Sequence, residues 1–376
     1  MTTARLRSLG LALACLLGAV PACARSAPVR LSALHAPPTA LANSVPGNIY
    51  AADGPDHLSR AVGGQPYRLY VPESAGDGID VIDPVLMKVI DRYKTGLDPQ
   101  HVVPAWDLHT LYATNDLNDS LTAINPVTGK RQGQNLPVAD PYNMYFTVDG
   151  SEAIVVAEAQ QRLDFRDPHT FAPRESVPVD CAGVDHIDFS ADGGYLVATC
   201  EFSGRLVKVD VHRHAVMGYL DLKGSSPQDI KLDPAGRIFY VADKDLGGVH
   251  EIDAETFRPV GFVRTGRDAH GLYVSRDAKD LYVTNRGSGT VTLIDFATRA
   301  IVATWTIPGG GSPDMGGVSP DGKVLWLSGR YSSAVYAIDT TDGHLIGRIR
   351  VPNKPHGLCV WPQPGRFSLG HTGVMR

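Results

Sequence analysis

A pattern with a period of 42 to 44 residues runs through most of the 376-residue chain. Apolar runs of the type Val-x-x-Ile-Asp end at Asp83, Asn125, Asp167, Asp210, Asp253, Asp295 and Asp339. An Asp or Asn there can accept hydrogen bonds from the backbone of a following tight turn. A second series keeps the same period: segments leading into Asp-Gly-like turns begin at His101, Asn143, His186, Asp229, Gly271, Met315 and Gly357. Two independent markers on one period define seven structural units. One full unit reads as four short strands, 271–275, 281–285, 290–295 and 301–307, rich in Val, Ile, Leu, Tyr and Thr. Four strands in 40–45 residues make a propeller blade, and closing the ring removes the exposed sheet edges.

The expected fold is therefore all-β, a seven-bladed β-propeller over residues 66–376. The chain enters late in a blade, with 78–83 and 88–95 as third and fourth strands. The tail is expected to complete that blade with 357–360 as first strand and 367–370 as second. Residues 68–71 are a rival second strand.

The stretch Leu281-Tyr282-Val283-Thr284-Asn285, followed by 289–295, resembles the YVTN-repeat β-propeller family, which includes YncE-like and lactonase-like propellers. Weaker copies are Leu111–Asn115 and 239–243. The resemblance covers residues 66 to 371. It implies a fold but little of function, since similar propellers include lactonases, streptogramin lyase and nitrous oxide reductase.

Residues 1–24 read as an export signal: Arg5 and Arg7, an apolar stretch over 9–20, then a small-residue cleavage site at Ala22-Cys23-Ala24. A rival pattern makes Cys23 a lipid anchor. Either places the mature protein outside the cytoplasm: secreted, periplasmic or lipid-anchored. Residues 25–65, rich in Ala, Pro, Ser and Gly, read as a flexible linker. No internal apolar run reaches the roughly 20 residues of a membrane span. A formal charge of -5 argues against nucleic acid as a partner.

Strand phase converts these repeats into a location. Residues just before each first strand converge on one mouth of the central channel. There lie His101, Asn143, His186, Asp229, His270, Asp314 and His356, while second strands end near Glu158, Glu201, Asn285 and His371. Arg286 and Arg330 follow second-strand ends and suit an anionic ligand. The expected metal donors are His101, His186, Asp229, His270 and His356, for a divalent ion such as Cu, Zn, Ca or Mg. The expected small-molecule contacts are Asn143, Glu158, Glu201, Asn285, Arg286, Arg330 and His371. His270 and His356 sit one register position earlier than His101 and His186, so strand alternation sends the two pairs to opposite sides. One ion would then reach only two or three of them.

Three readings remain open on sequence. The protein binds a small molecule, with or without a metal, at the mouth. Alternatively it is a lyase or lactonase with His270 or His356 as general base, or a protein-interaction scaffold. Cys181 and Cys200 should lie side by side and form a disulfide in an oxidising compartment. The motifs of serine hydrolases, phosphate loops, zincins and c-type haem attachment are absent from the sequence.

Overall fold

The computed structural model describes residues 47–376. The expected signal peptide, Cys23 and the first part of the linker lie outside the described residues. Among the described residues no helix is long and apolar enough to cross a membrane.

Seven antiparallel sheets form the ring. Six have four strands; in the second blade the outer edge is split into Lys130–Arg131 and Leu136–Pro137. Burial follows position within the blade. Inner strands such as Pro99–Pro104, Val184–Phe189 and Pro227–Leu232 are buried throughout. Outer strands such as Lys88–Lys94 and Ala215–Asp221 alternate between exposed and half-buried residues. The core lies between blades: Ile154 and Phe165 of the third join Phe189 and Leu196 of the fourth in one apolar cluster.

Inner strands of neighbouring blades splay apart, and long side chains bridge them. The backbone N–H of Ile187 donates to the Tyr145 hydroxyl at 3.0 Å, and that of Gly316 to the Tyr273 hydroxyl at 2.6 Å. Leu232 N–H donates to Asp188 at 2.7 Å, and Leu272 N–H to Asp229 at 2.8 Å. Each bridge satisfies a buried backbone donor that no sheet partner reaches.

The closing blade corrects one expectation. Its inner strand is Cys359–Trp361, paired with Arg68–Pro72, then Gly78–Asp83 and Lys88–Lys94. Residues 68–72 are thus the second strand, and 367–370 are not. Those residues belong to a hairpin that enters the channel from the Asp-Gly-turn face. Leu369 N–H donates to Val374 O at 2.7 Å and Arg366 N–H to Arg376 O at 2.8 Å. His371 is at its tip, and its N–H donates to Met144 O at 2.9 Å. The sequence of the tail is apolar enough for a strand, but its Gly370 and Gly373 at positive φ favour a turn between them.

The linker expectation also needs correction over residues 47–65. This arm packs against the same face: the Tyr50 hydroxyl donates to Leu232 O at 2.7 Å, and Asp56 N–H to Pro320 O at 2.8 Å. Tyr50 and Val62 are buried. A few apolar anchors suffice to dock a Pro- and Gly-rich segment.

Candidate functional site

Almost every inner strand skips register at its mouth end. Pairing jumps from Pro99 to Val102, Val184 to Ile187, Pro227 to Ile230, Ala269 to Leu272 and Pro313 to Gly316. A bulge interrupts strand alternation and re-aims side chains. Hydroxyls on the second strand catch the freed backbone donors. His101 N–H donates to Thr114 at 3.1 Å, His186 N–H to Thr199 at 3.0 Å and Gly271 N–H to Thr284 at 2.7 Å. The threonine of the Tyr-Val-Thr-Asn stretch is therefore the residue that holds the bulge open.

The bulges overturn the expectation that His270 and His356 diverge from His101 and His186. Ring centroids are 5.0 Å apart for His101–His356, 5.6 Å for His101–His186, 6.0 Å for His186–His270 and 5.6 Å for His270–His356. His371 joins from below, 4.8 Å from His186 and 5.1 Å from His101. Five buried imidazoles thus share the channel centre. His101, His186 and His371 each offer a ring nitrogen within 4.8 Å of the others.

Two of the far nitrogens are tied down by hydrogen bonds. His101 Nδ1 lies 2.9 Å from Tyr142 O, and His356 Nδ1 lies 2.6 Å from Asp314 Oδ2. His186 Nδ1 lies 2.8 Å from Asp185, and His270 Nδ1 lies 3.2 Å from the other oxygen of Asp314, neither in hydrogen-bond geometry. By contrast, Nε2 of His101, His186, His356 and His371 has no hydrogen-bond partner. Buried polar atoms are nearly always paired, so four bare ones in one channel, three of them on rings within reach of a common ion, mark a place where something binds. Anchoring Nδ1 to a carbonyl or carboxylate is the arrangement that orients an imidazole toward a metal.

Burial first, and then the neighbouring His186, holds His101 down to about 3. Burial likewise lowers His270, helped by Arg286, and His356, helped by Arg330. His371 is lowered by burial and then by His186. For His186, burial opposes the charge but Asp185 outweighs it and the pKa is raised. The cluster is therefore mostly neutral, the state in which imidazole ligates.

Above it opens a cavity of about 840 Å³. His270 and His356 form part of its floor, with Tyr142 and Gln228 beside them. Its rim carries Lys244, Arg264, Arg267, Arg286 and Arg330 against Glu201, Asp245 and Asp268. Lys244 pairs with Glu201 at 2.5 Å, and Arg286 pairs with Asp268 at 2.9 Å. Arg330 Nη1 is buried without a partner. Two buried carboxyls lie outside the cavity lining. Burial, then Asp185, pushes Glu158 up to about 8, and burial, then Asp140, pushes Asp116 up to about 7.

Other expected residues serve the scaffold. Asp229 accepts from Ile230 and Leu272 N–H, each at 2.8 Å, so its oxygens are struts rather than metal donors. Asn285 bonds Thr265 at 2.8 Å and Thr290 and Thr292 at 3.1 Å, tying the second strand to the third. It is buried and turned away from the cavity. Asn143 bonds His371 at 2.9 Å. Sequence reading did not single out Asp185 or Asp314 as holders of the imidazoles, although both share the register of His270. Cys181 and Cys200 form the expected disulfide, with Cα atoms 5.1 Å apart. Cys359 is free and buried.

Known proteins agree with the fold. The chain is 22% identical over 275 residues to the uncharacterized protein YncE of Salmonella typhi, covering 67% of this chain and 74% of that one. The Pseudomonas aeruginosa periplasmic gluconolactonase superposes with a TM-score of 0.65 at 19% identity, over 79% of this chain and 99% of that chain. Kuenenia stuttgartiensis hydrazine synthase superposes with a TM-score of 0.62 at 18% identity, over 80% and 97%. At such identities the superpositions speak for the fold alone. The family description YNCE-like beta-propeller matches residues 25–364, and the chain belongs to that family.

Proposed function

We propose that this propeller binds a small anionic molecule at the channel mouth, together with a divalent transition ion held by His101 and His186, whose ring nitrogens lie within 4.8 Å of each other and of His371. The observation that carries the reading is the convergence of bare, buried Nε2 atoms beside a cavity lined by Arg330, whose Nη1 has no partner. An all-nitrogen donor set suits Cu or Zn and disfavours Ca and Mg, which take oxygen ligands. Arg330 is the residue for the anion, because its charge is unspent within the fold. The disulfide suits an oxidising compartment and so supports export.

A second reading rests on the His356–Asp314 pair. A histidine oriented by a buried carboxylate at 2.6 Å and facing a cavity is the arrangement of a general base. A lactone is the substrate class that suits it, as in the gluconolactonase of like fold.

Calorimetric titration of gluconate into the Zn-loaded protein tests the first reading. Arg330→Ala should weaken binding about tenfold, the loss of one charge-assisted contact. Equal binding by both proteins, or none by either, contradicts it. Hydrolysis of gluconolactone that disappears in His356→Gln would instead establish the second.

A further inference from the structure

The tail hairpin delivers His371 to the cluster in a different state from its neighbours. Three contacts with the inner strand of the third blade fix it. Its backbone donates to Met144 O at 2.9 Å. Its ring stacks on Tyr145 with an 8° tilt and a centroid distance of 5.9 Å. Its Nδ1 lies 2.9 Å from the side-chain nitrogen of Asn143.

The last contact decides the tautomer. Asn143 Oδ1 accepts the Met144 N–H at 2.8 Å, which fixes the amide with Nδ2 toward His371. An amide nitrogen only donates. His371 Nδ1 must therefore be the bare acceptor, and the ring proton resides on Nε2. Two others are reversed. His101 Nδ1 faces a carbonyl and His356 Nδ1 faces a carboxylate, both acceptors, so each carries its proton there and bares Nε2. His186 Nδ1 lies 2.8 Å from an Asp185 oxygen without forming a hydrogen bond, so its tautomer is not fixed in this way. Of the three rings within reach of one ion, His101 thus bares a lone pair and His371 presents an N–H, and Nε2 of His101, His186 and His371 lacks a partner. A protonated nitrogen cannot ligate a metal, but it can donate to an anion bound to one.

We infer that His371 is not a metal ligand but the hydrogen-bond donor to an oxygen anion, a carboxylate or hydroxide oxygen, at the metal's open position, and that Asn143 assigns it this role. The metal itself rests on the reading proposed above; the tautomer rests on hydrogen bonds alone. The chain's last turn thereby selects an oxygen ligand that accepts a hydrogen bond.

Two measurements test this on the full-length protein. Long-range ¹H–¹⁵N correlation of metal-free, ¹⁵N-histidine-labelled protein should show His371 as the Nε2–H tautomer, and His101 and His356 as Nδ1–H. A Nδ1–H signature at His371 overturns the inference. Co(II) titration then separates the roles. His371→Gln should keep Co(II) affinity within about threefold and lose about tenfold or more in formate affinity of the loaded protein, the effect of one hydrogen bond to a charge. His186→Gln should lose Co(II) binding. Asn143→Asp, which would accept from Nδ1–H and bare Nε2, should tighten Co(II) and weaken formate. If the wild type takes up no Co(II), the metal reading falls and this one with it. If the wild type binds Co(II) and His371→Gln loses it as fully as His186→Gln does, only this inference falls. The tautomer measurement uses the wild type and stands whether or not any variant folds.

Discussion

Glu158 shows how burial without a counter-charge becomes a pH dependence. Its folded pKa near 8 exceeds the ordinary 4.5, with burial the first cause and Asp185 the next. The protonated form is thus favoured by folding. That contribution is complete below the unfolded pKa and is lost as pH rises through about 8. Glu158→Gln should match the wild type in thermal stability near pH 4.5 and exceed it by several degrees at pH 8.5. A constant difference across that range would contradict the burial described here. Much of the residue-level site was legible in sequence. His101, His186, His270 and His356 stand at repeat-equivalent places, and the phase of the repeat alone puts them at one mouth. What sequence hid was which oxygens were already spent. Asp229 falls in line with Asn143 in the alignment of repeats, and Asn285 with the other second-strand ends, yet their partners, a neighbouring blade's N–H and third-strand threonines, are only visible in three dimensions.

At the scale of elements, two departures from regularity build the site. Bulges near the mouth ends of inner strands undo the alternation that would have split the histidines. Their signal was present in the repeated Thr114, Thr199 and Thr284, but no simple rule of alternation reads it. The tail hairpin is the other. A short Gly-rich segment after a final strand gives no periodic signal, and it competes for the second-strand place with Arg68–Pro72, whose alternation fits the pleat better. The hairpin is locked at its base. Arg376 pairs with the buried Asp188 at 2.9 Å and lies over the Tyr50 ring, 4.6 Å from its centre. Removing one partner of a buried pair costs about 3 kcal/mol or more. Arg376→Ala should therefore lower the melting temperature by several degrees, whereas Arg366→Ala, at an exposed residue, should leave it within about a degree. Equal melting of both variants would mean that the tail is not anchored as described.

At the scale of the molecule, period and closure were readable because every blade must solve the same edge problem. The seventh interval, shared between the two ends of the chain, was readable only in outline. The closing inner strand carries Cys359, wholly buried, its thiol pushed far above the ordinary range by burial. A thiol reagent should label it at the rate of global unfolding, in step with loss of the β-sheet signal. Labelling well below the denaturant midpoint would show that the closing blade opens alone.

The account turns on four bare nitrogens in the channel. Crystals grown with Zn(II) and measured on both sides of the zinc edge test it most directly. The expected result is one anomalous peak about 2.0–2.1 Å from a ring nitrogen of His101 and of His186. A channel without a peak, with zinc found only on the exposed Asp339, Asp342 and His344 group of the opposite face, would contradict it.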